Sequence, residues 1–168
     1  MWSPLAFDGS KGFKGSAARS VAFVESAGGA CCVAVGGDDG SLQFRWLADG
    51  DATAGGDAFD ATRPAQTLLP SHGGAVVALR GRASSGLLVS GARDGTMRVW
   101  DLSASAAAKG TDGGSDGGGG ASAAAKCLYG LGGYKVWLGS ICTDGRRLVS
   151  DGSDNTVVVH DFGGEPNS

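Results

Sequence analysis

Short runs in which apolar residues alternate with polar or small ones recur along this chain, each pair of runs broken by a tight polar punctuation. The clearest lies between Gly86 and Leu102, where Leu87 and Val89 precede Asp94-Gly95 and Met97 and Val99 follow it. A period of two predicts strands with one face buried. Asp-Gly between such runs predicts a hairpin, because both residues tolerate the positive φ of a tight turn. The layout repeats upstream at Cys32–Phe44 around Asp39 and downstream at Arg147–Asp161 around Asp154, so the three turn aspartates stand 55 and 60 residues apart. The pattern predicts strands at Ser20–Val24, Cys32–Val35, Ser41–Trp46 and Gln66–Leu69, then at Ala75–Arg80, Leu87–Ser90, Thr96–Trp100 and Lys126–Leu131. A third group follows at Trp137–Cys142, Arg147–Ser150 and Thr156–His160.

The stretch ending on Trp100-Asp101 resembles the second half of a WD repeat. Gln66–Val76 resembles the first half, with Ser71-His72 at the family's Gly-His dipeptide, so residues 65–102 form one recognisable repeat. The resemblance implies an all-β fold: part of a WD-repeat β-propeller with about three four-stranded antiparallel blades. Blade one is expected near 15–69, blade two near 75–131 and blade three near 134–162. A WD repeat is about 40–45 residues long, so the wider spacing here requires insertions. Residues 48–63 and 103–125 are rich in Ala, Gly, Ser and Asp and are expected to be disordered Gly/Ala-rich loops, since so little apolar surface does not offset the entropy of ordering them. Ser103, Ser105, Thr111 and Ser115 would then be open to modification.

The third blade has three predicted strands, and Trp2–Phe7 is a candidate for the fourth, with Pro4 tolerated on an outer edge. Propellers have about 4–8 blades. Three would leave apolar blade faces in water, so closing the ring needs either missing sequence, the favoured reading, in which the chain resembles the C-terminal part of a larger propeller, or self-association of two or more copies.

Composition narrows the function classes. A formal net charge of −3 with scattered basic residues argues against nucleic acid. The longest apolar run, Ala30–Val35, is far short of the roughly 20 residues of a membrane helix. No membrane association is expected, and the cytoplasm or nucleus is the expected location. The four cysteines include adjacent Cys31-Cys32 and no Cys-x-x-Cys, which favours buried free thiols. The run Asp112–Gly120 lacks the Lys-Ser/Thr ending of a phosphate-cradling loop.

His72, Ser90 and Asp94 could suggest a hydrolase triad, but no Gly-x-Ser-x-Gly elbow surrounds Ser90. The family resemblance instead implies a structural tetrad of His72, Ser90, Asp94 and Trp100, in which Asp holds His, His bonds Ser and Ser bonds the indole. Partial tetrads remain elsewhere. Ser150 and Asp154 hold their positions in blade three with His160 at the Trp place, while blade one keeps Asp39 but has Val35 and Arg45 at the Ser and Trp places. Neither an enzymatic activity, a cofactor nor a metal is expected, since His72 and His160 are the only histidines and the cysteines are dispersed.

The resemblance implies a protein-interaction scaffold presenting a loop face to a protein partner. Arg93, Tyr134 and Trp137 are candidate contacts, because Arg, Tyr and Trp dominate interface hot spots. The alternative is the substrate-recognition part of an F-box/WD-repeat ubiquitin ligase receptor, whose last blade Gly133–Phe162 resembles. An F-box would have to lie elsewhere, since too few residues precede the first blade here.

Overall fold

The computed structural model describes residues 16–48, 59–60, 62–63, 65–107, 125–133, 139–151 and 156–163. Within them the alternating runs become eleven strands. β1 (Ala18–Glu25), β2 (Cys31–Gly37), β3 (Leu42–Trp46) and β4 (Gln66–Thr67) form the first sheet. β5 (Val76–Gly81), β6 (Leu87–Ala92), β7 (Met97–Asp101) and β8 (Lys126–Leu131) form the second. β9 (Ile141–Thr143), β10 (Arg147–Asp151) and β11 (Val157–Asp161) form the third. Every pairing is antiparallel and joins neighbours in sequence, the arrangement of a meander. Among the described residues the fold is all-β apart from one five-residue helix, in three sheets that correspond to part of a propeller, as expected.

The sheets stack face to face. Cys32, Ala34, Leu42, Phe44 and Trp46 of the first meet Leu79, Leu88 and Trp100 of the second, while Ala78, Val89, Met97 and Val99 on the second sheet's other face meet Ile141 and Leu148 of the third. Period-two alternation therefore gives the middle sheet two buried faces, which is why β6 is buried almost throughout. First strands approach closely: Ser20 Oγ donates to the Val76 carbonyl at 2.6 Å, and the Ser85 and Gly86 N–H groups donate to the Glu25 carbonyl at 3.1 and 2.8 Å. Gly81 permits this approach, since a Cβ there would lie 1.8 Å from the Phe23 carbonyl oxygen. Across the second junction Arg80 Nε donates to the Ile141 carbonyl at 3.1 Å.

Several expectations are corrected. Residues 103–125 begin with a short helix, α1 (Ser103–Ala107), rather than a loop. The Asp101 carboxylate accepts the Ser103 N–H at 2.8 Å and caps its start. Its small side chains pack on the core through Ala106, and Ser105 is buried, so Ser105 is not an open modification site. Low apolar content misled here because Ala and Ser bury at little entropic cost. At the end of the first insertion Phe59 bridges Leu47 and packs with Val33 and Val35, and Arg63 is buried beside Trp46, so this stretch too is packed. β4 stops at Thr67: Leu68 turns into the core and Leu69 into solvent ahead of Pro70, which has no N–H to offer a ladder. β9 starts at Ile141, with Gly139 and Ser140 outside it; Trp137, the expected start, lies outside the described residues. Trp2–Phe7, Thr111, Ser115 and the run Asp112–Gly120 lie outside the described residues.

Candidate functional site

Asp94-Gly95 closes the β6–β7 turn, Gly95 at φ +72°, and this fold-back sets Ser90 on β6 beside Trp100 on β7. The ladder pairs Leu88 with Trp100 and Ser90 with Arg98. His72 reaches the same point from the segment before β5, fixed by its own N–H donating to the Gly40 carbonyl at 3.0 Å. Gly40 suits that contact twice over: its φ is +83°, and a Cβ would stand 2.2 Å from the His72 carbonyl oxygen.

The side chains brought together form a single file. Trp100 Nε1 donates to Ser90 Oγ at 2.9 Å, Ser90 Oγ lies 2.8 Å from His72 Nε2, His72 Nδ1 lies 2.8 Å from Thr96 Oγ1, and Thr96 Oγ1 donates to Asp94 Oδ1 at 2.7 Å. An indole only donates and a carboxylate only accepts, so one direction satisfies every member. Ser90 gives its proton to Nε2, and a neutral His72 protonated at Nδ1 gives its own to Thr96. Asp94 does not hold His72 directly. The two stand 3.8 Å apart, and Thr96, absent from the expected tetrad, carries the link. A threonine two residues after a turn aspartate is the signal that would have found it, since Asp94 Oδ1 also takes the Thr96 N–H at 2.9 Å. Asp94 Oδ2 accepts the Gly73 N–H at 2.6 Å and so ties the turn to the segment before β5.

Burial sets the electrostatics. It pushes the His72 pKa down from 6.5 to about 4, against the attraction of Asp94 and with a smaller contribution from Arg98. For Asp94 burial works against ionisation, but the hydrogen bonds from Thr96 and Gly73 outweigh it and hold the carboxyl below its usual value. Replacing Asp94 with Ala should therefore lower stability by about 1–3 kcal/mol, the range for losing hydrogen bonds to a charged acceptor, here those from the Gly73 N–H, the Thr96 N–H and the Thr96 hydroxyl. Urea titration of the variant would measure it, and an unchanged midpoint would remove Asp94 from the network.

The other sheets depart from this arrangement. Asp39 Oδ1 accepts the Ser41 N–H at 3.0 Å, a turn bond like that of Asp94. Val35 faces Gln43, and Arg45 faces Val33 with its guanidinium 4.7 Å over the Phe59 ring. Trp46, one residue further on, is the indole that enters the core here; its Nε1 donates to Ser105 Oγ at 3.2 Å. In the third sheet Ser150 faces Val158 and His160 faces Leu148, the register of Ser90 and Trp100. The buried Ser150 Oγ has no hydrogen-bond partner among the described residues, and the His160 ring stacks on Phe162 at 6.3 Å. Asp154, Tyr134 and Trp137 lie outside the described residues.

Above the network, the turns of the first two sheets share one face with the segments that lead into β1 and β5. The Asp38 N–H donates to the Ala17 carbonyl, and the Arg93 N–H to the Ala75 carbonyl, both at 2.9 Å. Charged side chains crown this face. Arg19 Nε meets Asp38 Oδ1 at 2.8 Å, and Asp38 is held below the usual carboxylate range chiefly by that bond, with Arg93 adding attraction.

All four cysteines are free, but only Cys32 is buried, where desolvation lifts its thiol to about 12. Cys31 and Cys127 are half-buried and Cys142 is exposed on β9, which corrects the expectation of buried thiols. Among the described residues no group of three His, Cys, Asp or Glu could hold a metal, and no helix is long and apolar enough to cross a membrane.

Residues 63–101 match the family described as WD domain, G-beta repeat. The chain is 32% identical over 118 residues to nuclear distribution protein PAC1-2 of Uncinocarpus reesii (strain UAMH 1704). The alignment takes in 64% of this chain and 21% of that protein, so the chain spans about a fifth of the length of the curated relative it matches.

Proposed function

We propose that this chain, which carries a WD repeat within part of a β-propeller, is a non-catalytic scaffold whose turn face receives a protein partner. One observation carries the reading: the polar groups divide into two tiers. Ser90 and His72, the residue types capable of nucleophilic or acid–base chemistry, are buried and committed to one hydrogen-bonded file. The exposed charges of Arg19, Asp38 and Arg93 gather on the turns above them. A rigid lower tier positions the upper one, which is how a fold of this kind holds variable contacts on a fixed frame. Arg93 is the contact we assign first. A cytoplasmic or nuclear location fits such a scaffold. No specific observation favours the ubiquitin-ligase reading.

Proximity labelling with the full chain tests the proposal. Arg93→Glu and Arg19→Glu should each remove the same specifically labelled proteins while leaving the melting temperature within a degree or two. A labelled set indifferent to both substitutions would mean that this face is not the docking surface.

A further inference from the structure

The two junctions between sheets are filled differently at the end away from the β2–β3 and β6–β7 turns. In register, Phe44 and Trp46 of the first sheet correspond to Val99 and Asp101 of the second, and Trp100 of the second corresponds to His160 of the third. Phe44, Trp46 and Trp100 are buried together and fill the first junction. Their counterparts leave the second junction open. Val99 is smaller, Asp101 turns to the start of α1 to accept the Ser103 N–H, and the His160 ring stacks on Phe162 at 6.3 Å. What results is a cleft of about 40 Å³ floored by Leu87, Val89, Val99 and Leu148. That volume exceeds the roughly 10–15 Å³ that one water needs and falls short of the roughly 150 Å³ that admits benzene, so the cleft takes an aliphatic tip rather than a ring. The mouth adds a charge. Tyr129 and Phe162 flank it with ring centroids 5.6 Å apart, and at 41% and 50% exposure they leave it open to solvent. Arg82 reaches across from the β5–β6 turn to the third sheet, where a Cβ on Gly145 would meet its guanidinium carbon. The neighbouring carboxylates are committed elsewhere: Asp161 to Arg146 and Arg147 at 3.1 and 3.2 Å, Asp144 to the backbone N–H groups of the same two arginines, and Glu25 to the Ser84 N–H. Among the described residues no carboxylate pairs with Arg82.

We infer that this cleft between the second and third sheets is a second docking site, which takes an aliphatic side chain next to a carboxylate from an acidic segment of a protein partner. Complementarity carries the inference. The apolar floor asks for an aliphatic tip, and the unpaired guanidinium at the mouth asks for an anion, which it holds by charge-assisted hydrogen bonds. The small volume selects a protein over a free small molecule: burying a few carbon atoms does not offset the cost of association, whereas a segment held at further points needs to insert only one tip. Both walls lie within residues 82–162, so the cleft stands whatever the number of blades in the ring. It opens away from the turn face that carries Arg19 and Arg93 and is independent of it.

Methyl NMR of the full chain, titrated with the capped tripeptide acetyl-Glu-Leu-Glu-amide, tests it. The methyl resonances of Leu87, Val89, Val99 and Leu148 should shift and saturate. Acetyl-Lys-Leu-Lys-amide should bind about fivefold more weakly, the upper end of what one exposed ion pair yields. Arg82→Glu changes an exposed side chain, so it should keep the wild-type circular dichroism while reversing the preference between the two peptides. Val99→Phe places in the cleft the ring that Phe44 supplies in the first junction, and should abolish the shifts with either peptide. Absence of saturable shifts at these four residues, equal binding of the two peptides, or an unchanged preference in Arg82→Glu would each overturn the site. The titration also separates this site from the turn face, because Arg93→Glu should leave it unaltered. Labelled partners lost on Arg93→Glu from a chain whose cleft binds neither peptide would sink the cleft and spare the scaffold reading.

Discussion

Trp100→Ala should lower the unfolding free energy by about 3–5 kcal/mol, the range for removing a fully buried aromatic side chain. Trp100 has no exposed surface and lies in the core shared by the first and second sheets, so the cavity has walls from both and little means of collapsing. The loss is a large share of the roughly 5–15 kcal/mol that stabilises a typical domain, and the variant should be substantially unfolded at 37 °C. Trp100→Phe separates packing from hydrogen bonding. It keeps most of the volume but removes the donor 2.9 Å from Ser90 Oγ, and should cost about 1–2 kcal/mol for the lost bond. Urea midpoints give both values. A Trp100→Ala variant within 1 kcal/mol of wild type would show that the junction between these sheets is not packed as described.

The middle sheet was the part most legible in the sequence, because three independent signals coincide there: strict alternation in Met97–Trp100, an Asp-Gly turn, and a Trp-Asp ending. Its side-chain file was legible only in outline. The resemblance to a WD repeat implies that His72, Ser90 and Trp100 meet at one point, but whether Asp94 touches His72 or works through Thr96 depends on a distance of about an ångström that no sequence pattern encodes. The described ends of the insertions differ from the loop expectation for a different reason. Low hydrophobicity signals loss of order when burial needs large side chains, yet α1 fills a gap beside Trp46 that takes only Ser105 and Ala106. Phe59 is a single aromatic in a polar run, yet one aromatic suffices to cover Val33 and Val35 when Arg45 lies across its ring.

Acidification should destabilise the protein through His72 before the carboxylates take part. The ring's pKa is 6.5 when free and about 4 when folded. Above pH 6.5 the ring is neutral in both states and contributes no pH dependence. Between pH 6.5 and about 4 the unfolded chain binds a proton that the folded chain refuses, so stability falls as pH falls, by about 3 kcal/mol across the window. Asp94, whose folded pKa lies below its ordinary value, adds a loss of the same sign at still lower pH. Unfolding free energies at half-unit steps from pH 7.5 to 4 would trace the curve, and His72→Gln should flatten it over that window from a lower starting value. Parallel curves for the two proteins would assign the acid sensitivity to other groups. The physical origin lies in the direction of the file. Protonated His72 would donate from Nε2 as well, so Ser90 would have to turn its proton away toward the Arg98 carbonyl at 3.5 Å, a long bond in place of one at 2.8 Å. Refusing the proton keeps Ser90, His72 and Thr96 each both donating and accepting between the Trp100 indole and the Asp94 carboxylate, and that continuity holds the turn over the core.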